Sequence, residues 1–212
     1  MKIFRVIAFF LIFSACKKSS TENNSGGNAP PLPAGFVKGA DISWLTQMEA
    51  ANKKFYNSSG TEQDCMIILK NLGMNTIRLR VWVDPAGGWN NKADVLAKSI
   101  RAKNLGLRIM IDFHYSDTWA DPGNQIKPSA WDVQDFATLK TSLYNHTTDV
   151  LTALKNNGIT PEWVQVGNET NDGLLWPDGK ASTNMSNFTQ LINAGYDAVK
   201  ATSPSSKVIV HI

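Results

Sequence analysis

Pro161-Glu162-Trp163-Val164-Gln165-Val166-Gly167-Asn168-Glu169-Thr170 is typical of a buried strand that ends in an Asn-Glu pair. Val164 and Val166 suit a strand core, and Gly167 allows the backbone to crowd where the strand ends. A carboxylate at that position costs free energy to bury unless a site uses it. Taken alone, Glu169 is more simply explained as a helix cap or as part of a solvated loop.

Strands and helices alternate along the rest of the chain. This order predicts parallel β/α architecture, either as an open doubly wound sheet or as a closed eight-stranded barrel. The other predicted strands span 35–41, 76–83, 107–113 and 207–212, and the predicted helices span 61–73, 93–104, 131–157 (one helix or two) and 187–202.

Two observations favour the barrel. No G-x-G-x-x-G fingerprint follows Asp41 at the end of the first strand, as a dinucleotide-binding sheet would require. Polar residues instead gather after the carboxyl ends of four consecutive strands, where a barrel places its active site. We therefore predict a (β/α)8 TIM barrel of which only about the first five strands are present. The chain is expected to be the N-terminal part of a longer protein.

Composition and charge argue against one class of partner. Hydrophobic residues make up 42% of the 212 residues and charged residues 18%, as in soluble globular proteins. The net charge is only +3, and no basic stripe is interleaved with aromatic residues, so nucleic acid is not an expected partner.

Residues 1–16 are typical of a lipoprotein signal peptide. Lys2 and Arg5 precede an apolar run that is too short to span a bilayer, and small residues lead to Cys16. We expect Cys16 to be lipidated, which would anchor an exported bacterial protein at the outer membrane or cell surface and be its one membrane contact. A plain secretory signal is the alternative. Residues 17–33 are expected to form a flexible linker, so the folded domain spans 34–212.

Polar side chains also mark the second and third predicted strands. Arg78 and Arg80 lie two residues apart and therefore on one face, where strand-end carboxylates would balance their charge. An ion-pair network that only holds the barrel together is the alternative for either arginine. Segment 112–125 combines His, Tyr, Trp and Asp side chains and fits a cleft that recognises hydroxyl groups. Its spacing matches neither a zinc site nor an EF-hand, so no metal site is predicted.

Several blocks of the sequence resemble the signature segments of the endo-β-1,4-galactanases, glycoside hydrolase family 53. The blocks are 112–122 (DFHYSDTWADP), 166–169 (VGNE) and 173–177 (GLLWP), while 39–41 and 76–83 are similar to the first two strands of that family. The first block is highly specific, whereas many retaining glycosidases share the Asn-Glu pair. The resemblance covers essentially all of residues 35–212.

The resemblance implies an enzyme that cleaves internal β-1,4-galactosidic bonds in galactan or type I arabinogalactan, as in pectin degradation, with retention of configuration. One Glu, after the fourth strand, protonates the leaving oxygen, and a second, after the seventh, attacks the anomeric carbon. Glu169 matches the first role, as general acid/base. The nucleophile is expected beyond residue 212, so the fragment alone should be inactive. No cofactor is required, any calcium site would belong to the part beyond residue 212, and a monomer is expected.

The resemblance also suggests supporting roles. Asn168 would donate a hydrogen bond to the sugar 2-hydroxyl, and Arg78 and Arg80 would hold carboxylates in their charged form. Trp119 or Trp176 would offer a stacking surface, although Trp176 could equally pack its loop. The other candidates for binding substrate or supporting the site are Asp41, His114, Asp117 and His211, with a core histidine as the alternative for His211.

Two other functions stay open on the sequence, and a third is disfavoured. A surface glycan-binding protein would keep the cleft without catalysis, and it would need no nucleophile. A related retaining β-glycanase would act on another polysaccharide. An aldolase-type barrel would need a strand-end lysine or a phosphate-binding loop, and the sequence offers neither.

Overall fold

The computed structural model describes residues 35–212. The predicted signal peptide over 1–16, its lipidation site Cys16 and the predicted linker over 17–33 lie outside the described residues. Within 35–212, no helix combines the length and the apolar character needed to cross a membrane.

Five parallel strands form the main sheet, and their spatial order follows the chain. A doubly wound sheet reverses its strand order at a switch point, whereas a barrel keeps each strand beside the next. The sheet is therefore an arc of a (β/α)8 barrel, as predicted. Its strands are β1 (Gly39–Asp41), β2 (Thr76–Val81), β3 (Arg108–Phe113), β4 (Trp163–Val166) and, after a separate hairpin of β5 (Gly173–Leu174) and β6 (Gly179–Lys180), β7 (Lys207–Ile209).

Helices connect the strands of the sheet. They are α1 (Leu45–Ala50), α2 (Cys65–Asn71), α3 (Lys92–Asn104), α4 (Phe136–Asn156) and α5 (Ala181–Thr202). The side chains of Asp64, Asn91 and Asp135 cap α2, α3 and α4 by accepting backbone N–H groups of the first turn. The helix caps thus satisfy donors that would otherwise lack partners inside the helix.

Alternation along β2 separates the core from the site. Ile77, Leu79 and Val81 are fully buried and belong to the apolar core that also includes the inner faces of α3, α4 and α5. Arg78 and Arg80 point to the opposite face. The parallel register places Arg80 beside Asp112 of β3 and Asp112 beside Gln165 of β4, so the polar side chains of neighbouring strands share the inner face.

Some predicted boundaries are wrong. The interval 42–60, for which no element was predicted, contains α1, and the interval between β4 and the last predicted helix contains the hairpin. The helix predicted to open at Thr61 begins at Cys65, because Asp64 is the residue that caps it. The final strand ends at Ile209 rather than at Ile212. Helix α5 starts earlier than predicted, but it is broken at Asn184, whose side chain accepts the N–H of Asn187 at 3.1 Å, so the regular part begins close to the predicted start.

Candidate active site

Arg78 links the carboxyl ends of the first four strands. Its Nη1 donates to Asp41 Oδ2 at 2.7 Å, and its Nη2 lies 2.7 Å from Asp112 Oδ2. The same Nη2 donates to Asn168 Oδ1 at 2.8 Å and to Gln165 Oε1 at 3.2 Å. One guanidinium therefore fixes two carboxylates and two amides, which its planar fork of donors allows.

Asp41 is held in its charged form. Burial would raise the pKa of this carboxyl, but the hydrogen bonds from Ser43 and the charge and hydrogen bond of Arg78 outweigh it, so its pKa lies below the usual value. Asp41 therefore acts as a constant negative partner for Arg78 rather than as a proton donor.

Asp112 and Gln165 complete this network from the interior. Asp112 is fully buried, and its Oδ1 accepts a hydrogen bond from Gln165 Nε2 at 2.6 Å. Gln165 Nε2 also lies 3.0 Å from the carbonyl oxygen of Gly167 and 3.1 Å from Asn168 Oδ1. The buried charge of Asp112 is thus balanced by Arg78 and by hydrogen bonds, as a buried carboxylate requires.

Asn168 is buried and its amide is almost fully used. Its Oδ1 accepts from Arg78 and Gln165, and its Nδ2 donates to the carbonyl oxygen of Ala120 at 2.8 Å. A primary amide has two N–H donors, so one N–H of Asn168 has no acceptor among residues 35–212. The contacts with protein fix the plane of the amide, so the direction of that remaining donor is set before any ligand binds.

Glu169 lies at the end of β4 with a half-buried side chain and a left-handed backbone, φ +48°. Within residues 35–212 its carboxylate makes no hydrogen bond or ion pair with another side chain or with the backbone. Its backbone N–H lies 3.4 Å from Nδ1 of His211, whose carbonyl oxygen accepts the N–H of Thr170 at 2.7 Å. Non-glycine residues are uncommon in this backbone region, and such strain often accompanies functional sites.

His211 contacts the Asn-Glu pair through one nitrogen. Its Nδ1 lies 3.1 Å from Asn168 Oδ1 as well as 3.4 Å from the N–H of Glu169. The first contact needs an N–H on the ring and the second needs a lone pair, so Nδ1 serves one of them at a time. The structure therefore brings His211 to the site, as the sequence suggested.

His114 is fully buried and held in one tautomer. Its Nδ1 accepts the N–H of Ala120 at 3.0 Å, so the proton is on Nε2, which lies 3.0 Å from Asp112 Oδ2. His114 thereby joins Asp112 to the loop that also receives the Asn168 amide. Its contacts are those of a residue that orients its neighbours.

Within residues 35–212, Arg80 has no carboxylate partner. Its buried guanidinium is 4.0, 4.8 and 5.2 Å from the ring centroids of Trp119, Trp82 and Trp44, and no ion pair forms within the described part of the chain. Its Nε and Nη2 have no hydrogen-bond partner there. Burial lowers the pKa of Arg80, and the charges of Asp41 and Asp112 only partly offset this. The acidic side chains of the inner face are already engaged by Arg78, so Arg80 is stabilised by aromatic rings instead.

The exposed tryptophans lie over this arginine. Trp119 and Trp44 keep 40% and 43% of their surface exposed, and their ring centroids are 6.3 Å apart. Ala120, the neighbour of Trp119, is the residue whose carbonyl oxygen binds Asn168. The predicted stacking surface of Trp119 is therefore available next to the polar network.

Asp117 and Trp176 are loop-fixing residues in this structure. Asp117 accepts the N–H of Asp84 at 2.9 Å and the hydroxyl of Ser129 at 2.6 Å, so it joins the loops that follow β2 and β3. The indole N–H of Trp176 donates to the carbonyl oxygen of Asp172 at 2.8 Å, and Lys180 lies over the ring at 4.6 Å. These contacts favour the packing interpretation of Trp176, and a stacking role for it stays a prediction.

A buried lysine supports the outer part of the network. Lys98 is fully buried, and its Nζ donates to the carbonyl oxygen of Ser43 at 2.7 Å, to Asp94 Oδ2 at 2.7 Å and to Asn90 Oδ1 at 3.0 Å. Burial lowers the pKa of Lys98 below its usual value despite the opposing effect of Asp94. Because the Ser43 hydroxyl in turn accepts the N–H of Arg80 at 2.8 Å, Lys98 fixes the turn after β1 against β2.

Three buried polar residues of the cluster were not singled out from the sequence. Asp112 and Gln165 occupy inward positions of their strands, and extending the alternation argument from Arg78 and Arg80 to the next strands would have found them. Gln125 lies in the loop after β3 and binds the carbonyl oxygens of Asn168 and Glu169. No periodic pattern in the sequence marks Gln125.

Among residues 35–212, the cluster contains one carboxyl group, that of Glu169, without an ion-pair partner. Asp41 and Asp112 are held by Arg78, whereas the Glu169 carboxyl group is not engaged by any residue in that range. Beside it, Asn168 offers a fixed N–H donor, and the exposed face of Trp119 lies on the neighbouring loop. This combination suits proton transfer to an oxygen of a bound sugar.

Similarity to known proteins agrees with this geometry. Residues 37–212 match the family described as Glycosyl hydrolase family 53. An arabinogalactan endo-beta-1,4-galactanase of Thermothelomyces thermophilus is 41% identical over 177 residues, which cover 82% of this chain and 53% of that protein. The GH53 catalytic domain of Ignisphaera aggregans superposes with a TM-score of 0.81 at 39% identity, over 88% of this chain and 54% of that one.

A solved structure of fungal beta-1,4-galactanases has a TM-score of 0.79 at 41% identity, over 83% of this chain and 53% of that one. The chain thus spans about half the length of the curated relatives that it matches. The match covers the parallel strands together with the loops that carry Arg78, Asp112 and Glu169, and the chain therefore belongs to glycosyl hydrolase family 53.

Proposed function

We propose that the complete protein, meaning the whole translated product that contains residues 35–212, is an endo-acting hydrolase of β-1,4-galactosidic bonds in galactan or type I arabinogalactan. The observation that carries the proposal is Glu169, a carboxyl group without a protein partner among residues 35–212, adjacent to the fixed amide of Asn168. The relatives named as galactanases support the choice of substrate.

Glu169 is the general acid in this proposal. It gives its proton to the glycosidic oxygen as the bond to the anomeric carbon breaks, and it then takes a proton from the water that enters. The remaining N–H of Asn168 donates to the 2-hydroxyl of the same sugar, and this bond strengthens as positive charge develops on the ring. Arg78 pairs with Asp41 and Asp112 and also donates to Asn168 Oδ1, which keeps Asn168 in place.

The second carboxylate is proposed to lie outside residues 1–212. Retention of configuration requires two carboxyl groups about 5–5.5 Å apart on opposite sides of the scissile bond, and the second acts as nucleophile. An early proton NMR spectrum of the digest tests the stereochemistry, because retention gives β-configured reducing ends before mutarotation.

The activity test is digestion of galactan by the complete protein. Glu169→Gln should lower kcat on galactan by about 100- to 10,000-fold, the usual contribution of general acid catalysis. Glu162→Gln is the matched control. Glu162 lies just before β4, at the end of the strand opposite to Glu169, and pairs there with Arg108. Near-normal turnover by Glu169→Gln would remove Glu169 from the mechanism.

Other outcomes distinguish the alternatives. Cleavage of mannan or cellulose without cleavage of galactan would refute the proposed substrate and leave only a related glycanase. Tight binding of galactan without products would identify a glycan-binding protein.

A further inference from the structure

Gln125 connects three loops at the carboxyl end of the barrel. It is 2% exposed, and its Nε2 lies 2.8 Å from the carbonyl oxygen of Asn168, 3.2 Å from that of Glu169 and 3.2 Å from that of Asp121. The backbone carbonyl oxygen of Gln125 accepts the N–H of Trp176 at 2.7 Å. A single side-chain amide therefore holds the two consecutive peptide carbonyls of the Asn-Glu pair.

The loop that carries Gln125 is itself fixed. Asp121 and Asn124 exchange backbone hydrogen bonds of 2.9 and 3.0 Å, and Asn124 Nδ2 donates to the carbonyl oxygen of Trp119 at 2.9 Å. In the other direction, the Asn168 amide donates to the carbonyl oxygen of Ala120. The two segments are thus joined by hydrogen bonds that run both ways, and Gln125 is not a mobile side chain that happens to lie nearby.

The backbone determines where the Glu169 carboxylate points. That carboxylate has no partner within residues 35–212, so no side-chain contact there fixes it. The residue has φ +48°, a conformation that costs about 1–2 kcal/mol for a side chain with a Cβ and persists only when the surroundings impose it. The carbonyl contacts from Gln125 hold the peptide groups before and after Glu169, and with them the direction of its Cα–Cβ bond.

We propose that Gln125 is a positioning residue for the general acid, holding the Asn168 and Glu169 carbonyls so that the Glu169 carboxyl faces the leaving oxygen. This inference rests on the proposed function of Glu169. It assigns to a residue in the loop after β3 a role in the chemistry performed at the end of β4. Gln125 itself touches neither the substrate nor the reacting atoms in this role.

The test uses Gln125→Met and Gln125→Glu in the complete protein. The methionine keeps the length of the side chain and removes both N–H donors, and the glutamate sets oxygen atoms against the carbonyl oxygens. Each variant is assayed for kcat/KM on galactan and on 2,4-dinitrophenyl β-galactobioside. Dinitrophenolate leaves without protonation, so a defect confined to the general acid spares the aryl substrate.

We expect Gln125→Met to lose about 10- to 100-fold on galactan and less than about threefold on the aryl substrate, a fraction of the full effect of general acid catalysis. In Gln125→Glu the loss on galactan relative to the aryl substrate should shrink as the pH falls, because a protonated carboxyl regains one O–H donor. The matched control is Gln134→Met, the same change at a half-buried glutamine whose side chain contacts Ala130 and Ser142 before and within α4. It should leave both rates unchanged.

Equal losses on both substrates, no loss on galactan, or failure of both Gln125 variants to fold by circular dichroism would overturn the proposal. The first and third outcomes would make Gln125 a structural residue only. A failure of the proposed function gives a different result, since the wild-type protein would then not cleave galactan or Glu169→Gln would retain its rate on it. If the wild-type protein cleaves another β-glycan, the Gln125 comparison is made on that polymer.

Discussion

Arg78 and Arg80 lie two positions apart on β2, yet their surroundings differ in electrostatic character. Arg78 neutralises the fully buried Asp112 and also pairs with Asp41, whereas Arg80 is surrounded by three indole rings and has donors without partners in the described structure. The free energy of unfolding should respond differently to the same substitution at the two sites. Charge balance in this part of the barrel therefore depends on one arginine rather than on two.

Arg78→Met should lower the free energy of unfolding by about 2–4 kcal/mol, because it leaves Asp112 buried without its cation. Arg80→Met should change it by less than about 1 kcal/mol, because the lost cation–π contacts are offset by removing donors that have no partner among residues 35–212. Urea unfolding of the two variants measures both quantities. Similar losses at the two positions would contradict this assignment of roles.

The sequence predicted the site residues that stand in recognisable motifs at strand ends more readily than the residues that hold them in place. Motifs at strand ends contain Arg78, Asn168 and Glu169. Polar residue types at such positions are enough to predict a functional site. Gln165 occupies an inward position of β4 that any polar residue could take. Gln125 lies in a loop, where the sequence has no periodic pattern. Their roles depend on distances between segments that are 40 or more residues apart, which the residue types do not encode.

Helix α5 packs closely against β4 at Gly195. A Cβ built on this glycine would overlap Cγ1 of Val166 and lie 3.2 Å from the hydroxyl of Tyr115, which is itself fully buried and bonded to Thr147 at 2.9 Å. The glycine is therefore needed for the distance between the helix and the sheet, and Val166 directly precedes the Gly167-Asn168-Glu169 segment. Packing at this point contributes to the position of the site.

Gly195→Ala should destabilise the protein by about 1–3 kcal/mol, because the added methyl overpacks a filled contact. Helix propensity alone predicts the opposite sign, a gain of about 1 kcal/mol for replacing a helical glycine by alanine. The sign of the change in urea midpoint therefore decides between the two effects. A stabilised variant would mean that the contact with Val166 relaxes easily.

Long elements were predicted from the sequence and short ones were not. The strands β2 and β3 and the helices α3 and α4 have apolar periods long enough to recognise, and their ends were placed within a few residues. Helix α1 has six residues and no side-chain cap, and each strand of the hairpin has two. These elements form because the surrounding loops pack against the barrel, and such tertiary causes leave no local period.

At the scale of the whole molecule, the stability of the described chain should depend on pH through His146, a half-buried histidine whose Nε2 is enclosed. His146 of α4 is surrounded by aromatic rings, with centroids 5.6 Å away for Phe113 and 6.0 Å for Trp131, and its Nε2 has no partner among residues 35–212. Burial lowers the pKa of His146 from 6.5 to about 4, with a smaller lowering from Lys92 and an opposing effect of Asp149. The folded state therefore favours the neutral ring.

The stability of the protein should fall as the pH falls from about 6.5 to about 4. In this range the unfolded chain binds a proton at His146 that the folded chain does not, so the free energy of unfolding rises with pH. His146 contributes up to about 3 kcal/mol to the free energy of unfolding. This contribution is fully present above pH 6.5 and is lost below pH 4. Subtracting the curve of His146→Phe from that of the wild type isolates this contribution from the carboxylates, and a flat difference would refute it.

The parallel order of the five strands could be predicted because alternation of strands with helices admits few topologies. The choice of a barrel over an open sheet depended on where the polar residues fall, and the structure confirms it. The pairing of Asp112 with Arg78 rather than with Arg80 could not be predicted. It depends on which of two arginines reaches Asp112, and the tilt and register of the strands decide that in three dimensions.

The burial of Lys98 has a chemical consequence for the folded chain. Amine-directed reagents such as acid anhydrides attack the lone pair of a neutral amine, whereas all three protons of this ammonium group are engaged by Ser43, Asn90 and Asp94 inside the protein. The nitrogen becomes nucleophilic only when α3 separates from the turn after β1. The rate at which Lys98 is acylated therefore reports how often that opening occurs. The exposed lysines of the same chain react without any opening.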